Sequence, residues 1–346
     1  MSKTSIGLAV RYRPKRFSEV IEQDAIKQIL GEELKSGTVK RVLLFTGPAG
    51  CGKTTNARIF ANEIETCKSN IVELNGASNR GIENIRTIIE NSKVRPLQGK
   101  YKIFILDEVH QLTDESQNAL LKLLEEPPSY CVFILCTTDA QKIIPTILSR
   151  AYRYDFQLIS LKGIVDRLEY ILNQEKLREQ GSGIQSWDPA ALSVIAKASQ
   201  GHMRDAITLL DKILGYTKNI TVDDVVKVLG VTNYDIQFNI LDALLNKDEV
   251  NLTNYLTELY QSGKDLKLFI KNFLSFIIDV NKYITLHSFD FIDIPNTYIN
   301  RLNAYNQSHK QYVKYLLSKL IDLNSTIRWE TNPKMLLEAS FLLEVL

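Results

Sequence analysis

Short β-branched runs alternate with helical stretches through the first 160 residues, the pattern of an α/β domain built on a mostly parallel sheet. The strand candidates are Val42–Thr46, Ile71–Leu74, Lys102–Leu106, Val132–Cys136 and Tyr152–Phe156. Between the third and fourth, Glu115–Glu125 reads as a helix. Pro127-Pro128 ends it, because proline lacks an N–H donor and restricts the residue before it. From Leu161 the strand signals fade, and Ile164–Gln174, Asp188–Ser199 and Arg204–Leu214 read as helices. Gly181-Ser182-Gly183 reads as a flexible loop between the first two, and Asp188-Pro189 as a good helix start. Asn219–Leu229 is expected to be one more short helix, entered through Thr221.

The last 116 residues contain one glycine, Gly263, and two prolines, Pro295 and Pro333. Leu266, Phe269, Ile270, Phe273, Leu274 and Ile277 fall on one helical face, and Met335, Ala339, Leu342, Leu343 and Leu346 repeat that spacing. Such stripes usually form an ordinary core and sometimes an assembly surface. The pattern predicts three parts: an α/β domain over 1–160, a helical lid over 161–228 and an all-α domain over 229–346.

A chain of 346 residues is long enough for two or three cores, and 45% hydrophobic with 24% charged residues is ordinary for a globular protein. No run of about 18 apolar residues occurs, which argues against a membrane span. The start, Met1-Ser2-Lys3-Thr4-Ser5, lacks an apolar signal core, so a cytoplasmic location is expected. A net charge of +2 does not suggest nucleic acid. Residues 1–20 carry Lys3, Arg11, Arg13, Lys15 and Arg16 against Glu19, a segment better suited to a solvated arm than to a phosphate site. The four cysteines, Cys51, Cys67, Cys131 and Cys136, fit no zinc spacing and read as reduced thiols. On one strand, Cys131 and Cys136 would point to opposite faces.

Candidate chemistry enters with Gly47-Pro48-Ala49-Gly50-Cys51-Gly52-Lys53-Thr54, which matches the P-loop pattern at every required position. Glycines let the backbone wrap the β-phosphate and turn N–H groups inward. Lys53 supplies a mobile charge for the β- and γ-phosphates, and the Thr54 hydroxyl can ligate Mg²⁺. The loop follows a strand and opens a helix, Asn56–Ile64, whose N-terminal dipole faces the phosphates. That context separates it from a glycine-rich turn matching by chance.

Ile103-Phe104-Ile105-Leu106-Asp107-Glu108 is an apolar strand ending in two carboxylates, a costly arrangement without a cation nearby. With ATP and Mg²⁺ on the P-loop, Asp107 would hold the metal and Glu108 would activate the attacking water. Asp107-Glu108-Val109-His110 also resembles the acidic box of two-lobed helicases, with Thr137-Thr138 as their next motif, but the helical C-terminal half offers no second nucleotide lobe. His110 then reads as a local polar residue rather than a catalyst.

Arg11-Tyr12-Arg13-Pro14, Phe17 and Val20-Ile21-Glu22-Gln23 resemble the N-terminal "RPxxFxxVxGQ" motif of clamp loaders. Gly76–Ile82, Asp107–His110, Asn118–Lys122, Leu124–Pro128, Thr137–Asp139 and Ile147–Arg150 resemble, in order, the bacterial DNA polymerase III gamma/tau family of AAA+ ATPases. The likeness is specific over about residues 8–215. It implies a subunit that uses ATP to load a sliding clamp onto primer–template DNA, in a pentameric ring-like assembly with other loader subunits and copies of itself. By position, Arg150 would be an arginine finger acting on a neighbour's ATP, Thr138 a sensor of the γ-phosphate, and Arg204 a second sensor from the lid. Taken alone, Arg150 reads as a surface arginine and Arg204 as a salt-bridge partner of Asp205 or Asp211. The resemblance also puts Arg11, Tyr12, Val20 and Thr55 beside the nucleotide, and Asn79, Arg80, Arg86, Lys122 and Thr146 against DNA phosphates.

Three departures stand out. The four-cysteine zinc module of cellular relatives is reduced to Thr66–Asn70, so no zinc is expected. Ala151 replaces the usual cysteine after the Ser-Arg pair, and the chain stops after the collar-like helices, so the polymerase- and helicase-binding extension of the tau form is expected to be missing; a compact, zinc-free version would suit a bacteriophage or a reduced genome. The rival readings are another AAA+ DNA motor, a Holliday-junction translocase or initiation ATPase, and a non-hydrolysing scaffold subunit of the loader. Lys53, Thr54, Asp107 and Glu108 together argue against the scaffold.

Overall fold

The computed structural model describes residues 7–65, 67–178, 183–229, 234–261, 263, 265–289, 291–292, 294 and 298–343. Two compact units divide between Ile220 and Thr221.

The first unit holds helices α1 (Leu8–Arg11), α2 (Asp24–Ser36), α3 (Lys53–Ile64), α4 (Ile82–Ser92), α5 (Asp114–Glu125), α6 (Pro145–Leu148), α7 (Leu161–Leu177), α8 (Pro189–Ala198) and α9 (Met203–Tyr216). Its main strands are β1 (Val42–Thr46), β2 (Ile71–Asn75), β3 (Lys102–Asp107), β4 (Cys131–Thr137) and β5 (Tyr152–Asp155). All pairings are parallel, in the order β2-β3-β4-β1-β5. This is the AAA+ α/β architecture. The five expected strands all form, with ends shifted by at most a residue or so.

Parallel sheets covered on both faces need apolar residues on both, and the central strands supply them: every residue of β1 and β4 is buried. On one face Leu43, Phe45, Ile105, Ile134 and Cys136 pack with Ile26, Leu30, Ala57 and Phe60 from α2 and α3. On the other, Val42, Leu44, Phe104, Cys131 and Phe133 pack with Ile85, Ile88, Leu120 and Leu124 from α4 and α5. Cys131 and Cys136 thus lie on opposite faces, as the two-residue period of a strand requires. Phe104 and Phe133, register partners on neighbouring strands, stack with centroids 5.1 Å apart.

Helices α7 to α9 form the lid region of the same unit. Ser160 caps α7 by accepting from Gly163 N, and Asp188 caps α8 by accepting from Ala190 N ahead of Pro189. A two-stranded parallel pair ties the segment between α7 and α8, β6 (Ser186–Trp187), to the segment after α9, β7 (Asn219–Ile220). This corrects the single helix expected over Asn219–Leu229. Gln185 N donates to Lys218 O and Asp188 N to Ile220 O, so the backbone groups there serve the ladder and the helix starts only after Thr221. Gly183 is left-handed, while Gly181 and Ser182 lie outside the described residues.

The second unit is all helical among the described residues: α10 (Val222–Leu229), α11 (Tyr234–Leu245), α12 (Glu249–Gln261), α13 (Leu266–Leu286), α14 (Ile299–Leu302), α15 (Lys310–Thr326) and α16 (Pro333–Leu342). Asp265 caps α13 by accepting from Lys267 N and Leu268 N. The face read from the sequence is the core face: Leu266, Phe269, Ile270, Phe273 and Ile277 are buried, with Leu274 packed beside them. The terminal stripe behaves differently. Met335 and Leu343 are 65% and 69% exposed and Ala339 is exposed, whereas Leu337 and Phe341 are the buried positions of α16. That helix is apolar around most of its circumference. Phe341 is drawn inward by Phe273, with centroids 5.7 Å apart, and this turns Met335 and Ala339 outward, while Leu342 of the expected stripe still packs at the edge of the core. Leu346 lies outside the described residues. No described helix is long and apolar enough to cross a membrane.

Candidate nucleotide site

Sheet order assembles the site before any side chain is considered. Because β4 lies between β1 and β3, the carboxyl ends of three adjacent strands bring together the P-loop, Thr137-Thr138 and Asp107-Glu108. Crevices at the carboxyl ends of parallel strands are where open α/β sheets bind ligands.

The loop leaves β1 through left-handed glycines at Gly47, Gly50 and Gly52. A β-carbon at Gly47 would run into the backbone carbonyl of Phe156, so the position accepts only glycine. Lys53 opens α3 and is only 5% exposed. Its Nζ donates to the carbonyl oxygens of Gly47 at 2.7 Å and Pro48 at 2.6 Å, which offset the cost of burying an ammonium. The Cys51 thiol donates to Pro48 O at 2.9 Å. Burial pushes its pKa up, so it stays protonated and acts as packing. Thr55 is half-buried on the first turn of α3.

The Thr54 hydroxyl donates to Asp107 Oδ2 at 2.9 Å, and the other oxygen, Oδ1, accepts from Glu108 N at 3.0 Å. Asp107 O accepts from Gly76 N at 2.7 Å, which fixes the strand end. Glu108 then turns into the left-handed region at φ 49°, a strained conformation for a residue with a side chain. Its Oε2 accepts from Thr138 Oγ1 at 3.2 Å and lies 3.3 Å from His110 Nδ1. His110 is also 3.1 Å from Thr137 Oγ1. The residue read as a local polar group therefore touches the candidate base.

These residues fit a magnesium nucleotide. A hydroxyl and a carboxylate side by side are hard oxygen donors of the kind Mg²⁺ takes, with room for waters and phosphate oxygens. Glycines supply a cradle that a β-carbon would fill, and Lys53 supplies the cation.

The lid meets the loop directly. His202 Nδ1 lies 2.6 Å from Ala49 O, and a β-carbon at Gly50 would sit 3.6 Å from Cβ of Arg204. The guanidinium of Arg204 makes no ion pair among the described residues. The salt bridge to Asp205 or Asp211 does not form, and Asp211 instead accepts from Leu8 N at 3.1 Å. Arg11 and Tyr12 have their side-chain tips on the lid: both donate to Glu175 Oε1, at 3.0 and 2.6 Å. Arg167 holds the Tyr12 carbonyl at 2.6 Å. Val20 is buried and its carbonyl accepts from Lys27 Nζ at 3.1 Å. Burial opposes charge on Glu175, yet hydrogen bonds from Tyr12, Arg178 and Arg11 hold its carboxyl below the usual value. Burial and the Glu175 contact push Tyr12 up to about 12.

The remaining candidates lie apart from the loop. Arg150 is exposed after α6, donating to Thr146 O at 2.8 Å and pairing with Glu125 at 2.7 Å. Asn79 Nδ2 donates to Asn75 O at 3.1 Å, and Arg80 Nε to Ala77 O at 3.2 Å. Arg86 pairs with Glu83 at 3.0 Å on α4, while Lys122 on α5 and Thr146 on α6 are exposed. Sequence reasoning missed His202 and Glu175. His202 lies in the Gly201–Ala206 segment that carries Arg204 but was given no role of its own, and only folding brings Ala49 to His202 and Arg11 and Tyr12 to Glu175.

Three family models match: DNA polymerase III, delta subunit, over residues 68–160; the ATPase lid domain of the DNA polymerase III clamp loader subunit over 163–219; and DNA polymerase III subunits gamma and tau domain III over 220–313. The DNA polymerase III subunit tau of Bacillus subtilis is 32% identical over 95% of this chain and 61% of its own length. The subunit gamma of Buchnera aphidicola is 33% identical over 92% of this chain and 86% of its own. The chain spans about half to three fifths of the first curated relatives it matches. Among solved structures, the RuvB Holliday junction branch migration motor of Thermotoga maritima superposes with a TM-score of 0.50 at 23% identity, covering 68% of this chain and 79% of that one, a likeness of fold alone. The strand-end cluster, the matched lid and the near full-length likeness to the Buchnera subunit lead to one assignment: the chain belongs to the DNA polymerase III gamma/tau family.

Proposed function

We propose that this chain is an ATPase subunit of a sliding-clamp loader, using ATP to open a DNA polymerase clamp and leave it on primer–template DNA in the cytoplasm. The observation that carries the reading is the paired contact Thr54–Asp107 and Thr138–Glu108 beside the P-loop. A scaffold needs neither pair.

Thr54 and Asp107 would hold Mg²⁺, which when bound neutralises charge on the phosphate oxygens. Gly47 to Thr55 wrap the phosphates, with Lys53 turning from its carbonyl partners to them. Arg204 closes over the same nucleotide from the lid, and Arg11, Tyr12 and Val20 line its approach. Glu108, steadied by Thr138 and His110, orients the attacking water and takes its proton. Arg150, exposed and lightly paired, would reach the ATP of an adjacent protomer. The functional division is an ATPase domain over 1–160, a lid over 161–228 and a collar over 229–346 that joins subunits into a pentamer. Asn79, Arg80, Arg86, Lys122 and Thr146 would meet DNA phosphates without reading sequence.

The test is ATP turnover by the assembled loader with and without its clamp and primed DNA. Turnover should rise when both are present; an assembly indifferent to them would contradict the reading.

A further inference from the structure

We infer that His202 is a positioning residue of the nucleotide site, latching the lid to the P-loop and fixing the orientation of the Ala49–Gly50 peptide. The inference rests on the ATP-site reading above.

A carbonyl oxygen can only accept, so at 2.6 Å from Ala49 O the His202 Nδ1 must carry the hydrogen and donate it. A trans peptide is planar, with its N–H directed opposite to its C=O. Drawing the Ala49 carbonyl toward the lid therefore turns the Gly50 N–H away from the lid. That peptide lies at the left-handed turn of the loop (Gly50 φ 69°), where glycine leaves the backbone free to rotate. Without an external partner, the Ala49–Gly50 unit has little to hold it.

His202 is itself held from both sides. Its carbonyl accepts from Asp205 N and Ala206 N, both at 3.1 Å, which makes it the N-cap of α9, two residues before Arg204. Just ahead of it, Gly201 is left-handed and its carbonyl accepts from Ile159 N at 3.1 Å. A β-carbon at Gly201 would sit 2.8 Å from Leu158 Cβ, so the turn is packed tightly on the segment leading into the lid. A backbone anchored in the lid thus carries a side chain anchored on the loop. The neighbouring Arg204 is delivered to the same place, its Cβ close against Gly50. His202 would act through the peptide it pins and the arginine it delivers, without touching phosphate.

The test compares the wild-type chain with His202→Ala and His202→Asn. Asparagine carries its amide nitrogen on Cγ, as histidine carries Nδ1, and can make the same donation. Hydrogen exchange of the 47–54 amides without nucleotide is read first, followed by titration with Mg²⁺·ATP. In His202→Ala, exchange at the loop should quicken and the ATP Kd rise about fivefold, the scale of one lost hydrogen bond. His202→Asn should restore both. Unchanged exchange and affinity in His202→Ala would overturn the inference, as would His202→Asn behaving like His202→Ala. A wild-type chain that binds no ATP would sink the ATP-site reading instead, and the exchange comparison would still decide whether His202 pins the loop.

Discussion

Thr54 and Asp107 stand 53 residues apart in the chain, yet the Thr54 hydroxyl donates to Asp107 Oδ2 at 2.9 Å. One comes from the first turn of α3 and the other from the end of β3, so the contact exists only once β1, β4 and β3 have assembled side by side in one sheet. Replacing Asp107 by asparagine should leave the fold intact, since the amide oxygen can still accept. The Mg²⁺ concentration needed for half-maximal ATP binding should rise about 10–100-fold. A magnesium titration followed by nucleotide fluorescence reads this directly, and an unchanged midpoint would remove Asp107 from the metal site.

Gly47→Ala tests the cradle. Its φ of 138° and the Phe156 carbonyl in the path of a β-carbon leave no room for a methyl group. Strain and overpacking should destabilise the first unit by about 2 kcal/mol or more. Denaturant unfolding should show that loss, and ATP binding should fall with it. Gly31, whose β-carbon would meet nothing within 4 Å, is the control: alanine there should be neutral or mildly stabilising.

The Tyr12–Glu175 contact gives the first unit an alkaline limit. Tyr12 is raised to about 12 by burial and by its hydrogen bond to Glu175. A raised pKa favours the protonated form in the folded chain. The stabilisation is complete below the ordinary tyrosine value of about 10 and is lost as pH climbs through about 12. Thermal unfolding from pH 8 to 11.5 should therefore fall more steeply in wild type than in Tyr12→Phe, with the two curves converging at the alkaline end. Glu175 works at the other extreme: its lowered pKa gives stability that is present above the ordinary carboxylate value and lost in acid.

Arg150 is held by a surface pair with Glu125 and by the Thr146 carbonyl. Exposed pairs are worth about 1 kcal/mol or less, so releasing the guanidinium toward a neighbour costs little. In assemblies mixed from wild-type and Arg150→Ala chains, nucleotide binding should persist at every site. Turnover should drop by roughly 10³ in sites bordered by a mutant neighbour. A loss confined to the mutant's own site would place the arginine in cis.

The central strands of the main sheet were legible because a parallel strand buried on both faces is apolar throughout, and every residue of Val42–Thr46 and Cys131–Thr137 is buried. The P-loop and the two acids were legible because phosphate and metal chemistry restrict which residues can stand there. Elsewhere the sequence carried less. A two-residue strand such as Asn219–Ile220 has no periodicity to detect, and its pairing with Ser186–Trp187 depends on the lid already being folded. Helix α16 offers apolar residues on several faces, so only packing against Phe273 decides that Phe341 turns inward and Met335 outward. The Ala49 partner of His202 and the Arg11 and Tyr12 partners of Glu175 come from segments more than 150 residues away, which no local pattern encodes.

The most direct measurement is Glu108→Gln in the assembled loader, with ATP binding and ATP turnover followed on the same preparation. Glutamine keeps the contact with Thr138 but cannot take a proton from water. The predicted result is an ATP Kd close to wild type with turnover reduced by roughly 10²–10⁴. Turnover at the wild-type rate with binding intact would contradict the account.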